Sequence, residues 1–160
     1  MTRSKLVQGI CALLVLLFVY AAASKLLFFR GFTNQMLNQP LPRPLSLSLV
    51  WLLPAAELST AALLLLPRTR KAGLWASLGL MALFTGYVAL VLSRAFNRIP
   101  CSCGGIFSRL SWPGHLAFNL VTLVVTGLAI RLHSSKYKRL SIRTIFKFLG
   151  QGRRSRKPVE

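Results

Sequence analysis

Two cysteines, Cys101 and Cys103, stand one residue apart, between Pro100 and the Gly104-Gly105 pair. A disulfide requires Cα atoms within about 6.8 Å. Proline and glycine supply the tight turn this needs. A bridge closing so small a ring is strained, and a strained bridge is readily reduced. Arg98 and Arg109 flank the pair. Ser111 and Pro113 suit the N-cap and first turn of a following helix. Nearby cations and a helix N-terminus favour thiolate, the reactive form. The chemistry this spacing fits is thiol–disulfide exchange. Two other uses fit the same residues. One is a static clip that shapes a loop; the other is half of a metal site, two ligands short of the four zinc normally takes. Cys11 sits far along the chain in an apolar run and reads as an inert packing residue.

Glu57 is the second candidate. The chain holds only two acids against 21 Lys and Arg, and the other acid is the terminal Glu160. Glu57 lies inside an apolar run, about 18 Å along it if helical. A carboxyl there is expensive, faces other helices and pairs or serves function. Pro54, one turn earlier, frees a backbone carbonyl beside it. His115, Asn119, Thr122 and Thr126 recur at helical spacing and form one polar stripe. Tyr87 falls near the end of a third run, and Lys25 near the end of the first, where it could snorkel outward. Glu57, Tyr87 and His115 could relay protons for the thiols. Ordinary interhelical hydrogen bonding fits the same pattern.

Four long apolar runs must position these residues: 6–29, 45–66, 74–92 and 112–132. Each approaches the roughly 20 residues that span a bilayer. Hydrophobic residues make up 54% of the 160, and charged ones only 14%. A soluble domain carries roughly 25% charge, so an ordinary soluble enzyme is excluded, as is a disulfide-stapled miniprotein. The short link 67–73 forces its two helices to be antiparallel neighbours. The expected fold is an all-α integral membrane four-helix bundle over 1–132.

Lys and Arg set the orientation. The N-terminus, the 67–73 link and the tail carry fifteen; the other two links and the helix end before them carry six. Both termini are expected in the cytoplasm, and the links at 30–44 and 93–111 outside. The start, Met1 to Lys5 followed by an apolar run and Ala21-Ala22-Ala23, has features of a cleavable signal, but the run is longer than a usual signal core. The basic tail, 133–160, is expected to form a short helix on an anionic leaflet with a disordered end. No aromatic or motif framework points to nucleic acid.

Taken together, the Pro54-Ala55-Ala56-Glu57-Leu58 segment, the Pro67-Arg68-Thr69-Arg70 link, Tyr87, Pro100-Cys101-Ser102-Cys103-Gly104-Gly105 and Ser111-Trp112…His115…Asn119 resemble the MauE/DoxX-like redox-associated membrane proteins. The resemblance covers about 5–132. It implies a multi-pass protein of the bacterial inner membrane, with Cys101 and Cys103 as the family's cysteine pair on the periplasmic side. It also implies a link to methylamine metabolism, where MauE is thought to help form or transport the disulfide-rich subunit of methylamine dehydrogenase. The expected function is thiol–disulfide exchange with, or maturation of, an exported thioredoxin-like or cysteine-rich partner. No metal is expected. A quinone could accept electrons, though no motif marks a quinone site. The competing readings are a non-enzymatic membrane scaffold and a small-solute transporter that uses Glu57.

Overall fold

The computed structural model describes the backbone of residues 3–95 and 111–152 and the side chains of 3–95 and 111–134. The regular structure among the described residues is all helical, in five elements: α1 (Arg3–Leu27), α2 (Phe29–Leu37), α3 (Arg43–Leu65), α4 (Arg70–Leu92) and α5 (Trp112–Gly152). α1, α3, α4 and the Trp112–Ser134 part of α5 are long and apolar enough to cross a membrane. The large apolar side chains left exposed, among them Leu13, Leu16, Trp51, Leu83, Val121 and Val124, suit a lipid surround.

α1 packs on α3, α3 on α4, α4 on α5, and α5 back on α1. This closes a four-membered ring of helices. Each helix turns one stripe inward. On α1 the stripe is Val7, Cys11, Leu14, Phe18 and Ala22; on α3 it includes Val50, Pro54, Glu57, Ala61 and Leu64. These intervals of three and four are the helical period. Phe18, Leu64 and Leu74 are almost wholly enclosed.

The first apolar run does not continue to residue 29 as one helix. It breaks at Phe28, and α2 begins at Phe29. The geometry of α3 makes room for this second helix. Lys25, two residues from the end of α1, meets Glu57, fourteen residues into α3. The start of α3 therefore stands roughly three turns beyond the end of α1. α2 covers that overhang. Phe32 and Met36 bury against Val50, flanked by Phe29, Leu49 and Leu53, and the Phe29 ring lies 4.8 Å from that of Trp51. The polar Asn34 and Arg30 stay exposed on the opposite face.

The other end is closed by the α3–α4 turn. The Thr69 hydroxyl donates to the Leu63 carbonyl at 2.9 Å, and Arg70 Nε to the Leu64 carbonyl at 3.4 Å. These satisfy carbonyls that the end of a helix leaves without partners. Gly73 lets α4 approach α3 here: a Cβ on it would lie 2.8 Å from Leu64 N and 2.9 Å from Leu63 C. α5 continues as a helix to Gly152, 41 residues in all, or about 60 Å, well beyond a bilayer core of about 30 Å.

Candidate functional site

At the end where α1 stops and α3 begins, the bundle holds a half-open cavity of about 410 Å³. Its walls are mostly apolar. Into it come polar side chains from four helices and one connection: Lys25 from α1, Gln39 just after α2, Glu57 from α3, Tyr87 from α4, and His115 and Asn119 from α5. Phe18 and Met81 line it as well and also belong to the packed core, so they form the floor.

Lys25 Nζ donates to Glu57 Oε1 at 2.7 Å and to the Ala21 carbonyl at 3.2 Å. It lies 5.9 Å from the centre of the Phe32 ring, close enough for a cation–π contact. Glu57 is 1% exposed and Lys25 13%. A pair this enclosed is held because each charge compensates the other; removing either leaves a buried charge alone. Glu57 Oε2 is buried and has no hydrogen-bond partner among the described residues.

Lys25 thus points into the bundle rather than snorkelling outward. The sequence carried a signal for this. Ala22 belongs to the buried stripe of α1, and Lys25 lies three residues further on the same face. Gln39 was the other residue the sequence did not single out. It is buried, its amide donates to the Gln35 carbonyl at 3.1 Å, and it accepts a hydrogen bond from the Tyr87 hydroxyl. It follows the last turn of a helix that hydropathy over a 20-residue window averages away.

The polar stripe of α5 divides in two. His115 and Asn119 reach the cavity, and the Trp112 and His115 rings lie 6.2 Å apart. Thr122 and Thr126 do not reach it. Their hydroxyls donate to the carbonyls of Phe118 and Thr122, at 2.9 and 2.7 Å. A threonine in a membrane helix satisfies itself this way, one turn back on its own helix. The stripe is therefore no continuous polar line.

Cys101 and Cys103 lie outside the described residues. The segment that carries them joins the end of α4 to the start of α5, the ends that bear Tyr87 and His115. Cys11 is buried in the core among Val7, Leu14 and Leu64, far from the cavity along α1. Among the described residues, no three His, Cys, Asp or Glu side chains converge as a metal site would require.

The site joins a buried acid–base pair, two further polar contacts and an apolar chamber at one end of a membrane bundle. That arrangement can hold and move a proton, or bind a small apolar molecule by a polar head. No curated protein and no solved structure matches the chain. The family model described as methylamine utilisation protein MauE matches residues 3–132, which takes in three spans, all but the last two residues of the fourth and every cavity-lining residue, and the chain belongs to the MauE family.

Proposed function

We propose that this multi-pass membrane protein takes part in thiol–disulfide exchange with an exported partner through Cys101 and Cys103. The observation that carries the reading is the convergence of Lys25, Glu57, Gln39, Tyr87 and His115 on one cavity, at the end of the bundle to which the Cys-x-Cys segment is attached. The basic residues, fifteen against six, support cytoplasmic termini and an outward cysteine segment, which is the periplasm in a diderm bacterium. Disulfides persist in that compartment.

In the exchange, a thiolate of the partner attacks the Cys101–Cys103 bond and forms a mixed disulfide. The partner's second thiolate then resolves it. The partner leaves as a disulfide and the pair remains as two thiols. Two electrons have moved to Cys101 and Cys103, and two protons follow them. Glu57 and Lys25, with Tyr87 and His115, form the proton-handling group at the end of the bundle to which the segment carrying the pair is attached. The partner is an exported thioredoxin-like or cysteine-rich protein. The basic continuation of α5 is proposed to meet anionic lipid headgroups where the helix leaves the cytoplasmic face.

The test is trapping in cells. A single-cysteine variant keeps one thiolate, which attacks the disulfide of an oxidised partner and displaces one partner thiol; without the second cysteine of the pair the exchange stops at the mixed disulfide. Cys101→Ser or Cys103→Ser is expected to yield a reductant-sensitive adduct with an exported protein and to abolish client oxidation. Cys11→Ser is expected to yield no adduct and to keep client oxidation. Full client oxidation in the Cys101→Ser/Cys103→Ser double variant would refute the proposal.

A further inference from the structure

We infer that the cavity between α1, α3, α4 and α5 is a binding site for a neutral aromatic molecule bearing a ring hydroxyl, of the phenol or hydroquinone class. The inference is independent of the cysteine pair. Three observations lead to it.

The first is Glu57 Oε2. It lines the cavity, it is buried, and no described residue donates to it. A carboxylate oxygen only accepts, and a buried acceptor left unmet is costly. Whatever completes the site must bring a donor. The second observation is the ammonium beside it. Lys25 already neutralises the carboxylate, so a second cation would meet repulsion and no uncompensated anion. The donor is therefore a neutral hydroxyl. Lys25 spends two of its three N–H donors on Glu57 and Ala21 among the described residues. A ring hydroxyl can donate to Oε2 and accept from Nζ through the same oxygen.

The third is the wall. Phe18, Phe32, Phe84, Tyr87, Trp112 and Phe118 all face the chamber. Aromatic side chains select flat rings through offset and edge-to-face contacts. The volume, about 410 Å³, lies within the roughly 300–1,000 Å³ of small-molecule sites, which are likewise mainly apolar with a few placed polar groups. A membrane-soluble ring with one hydroxyl satisfies each of these features; an aliphatic alcohol leaves the aromatic wall unused, and an anion would sit against Glu57.

The test uses two probes of equal shape on the full-length protein in detergent: 1-naphthol, which donates, and 1-methoxynaphthalene, which does not. Trp112 is the reporter, in a chain carrying Trp51→Phe and Trp75→Phe, both exposed positions. Free probe is measured by dialysis. Saturable quenching by 1-naphthol is expected, with an apparent Kd at least about tenfold below that of the ether, the scale of one hydrogen bond to a charged group. Glu57→Gln should shrink this ratio to less than about threefold, and Ala21→Phe, which fills the chamber, should abolish quenching by both probes. Equal affinity for the two probes would overturn the inference, because Oε2 would then be met by water. So would the lack of saturable quenching by 1-naphthol in the folded protein, or a ratio unchanged in Glu57→Gln. Should Glu57→Gln fail to fold, the probe ratio on the parent chain and the Ala21→Phe result decide alone.

Discussion

The two ends of this bundle are built from the same four helices and reach opposite solutions. At the α3–α4 end, Val7, Cys11, Leu14, Leu64, Leu74 and Ala129 form a packed apolar core, and Gly73 brings two backbones almost into contact. At the other end the helices part, α2 covers the overhang of α3, and a chamber holds a buried ion pair. In a membrane, lipid is as apolar as leucine, so packing and polar contacts, rather than burial from water, hold helices together. The closed end uses packing. The open end uses the Lys25–Glu57 and Tyr87–Gln39 contacts, which leaves room for a site.

That contrast can be broken most sharply at the ion pair. Lys25→Met should lower stability by about 3–5 kcal/mol, since it strands a buried carboxylate. Lys25→Met with Glu57→Met should recover most of that loss. Denaturation of the detergent-solubilised protein provides the comparison, and a double variant no more stable than the single one would contradict the compensation argument.

The closed end should respond to bulk rather than charge. Gly73→Ala should cost about 1–3 kcal/mol, as backbone atoms of Leu63 and Leu64 cannot yield as a flexible side chain can. Gly79→Ala, where nothing lies within 4 Å of an added Cβ, should stay within about 0.5 kcal/mol of the parent. Similar midpoints for the two variants would show that the approach of α4 to α3 is not tight. At the open end a modest effect is expected for Tyr87→Phe, about 1 kcal/mol for one lost hydrogen bond. Hydrogen exchange should locate that loss in α2 and the Gln39 region and leave the α3–α4 turn unaltered; protection lost equally at both ends would argue against separate solutions.

Much of this division was readable from residue order. The spans followed from hydropathy, and the 67–73 link from its length. Glu57 was conspicuous as the one internal acid. What stayed hidden depended on relative height. Lys25 looked like an interfacial cation because it lies near the end of an apolar run. Only the offset between α1 and α3 puts it opposite Glu57. α2 was hidden for the same reason: its apolar residues, Phe29, Phe32 and Met36, matter once α3 presents Val50 to cover. Thr122 and Thr126 misled in the other direction, since spacing alone cannot distinguish a hydroxyl facing a cavity from one bonded to its own helix.

The central claim is that the open end is the redox end, facing outward. The most direct measurement is labelling of intact cells with a membrane-impermeant thiol reagent, before and after a reductant, in a chain lacking Cys11. Labelling of Cys101 and Cys103 only after reduction is the predicted result, and establishes an outward disulfide. Absence of labelling in both states would contradict the orientation and the exchange reading with it.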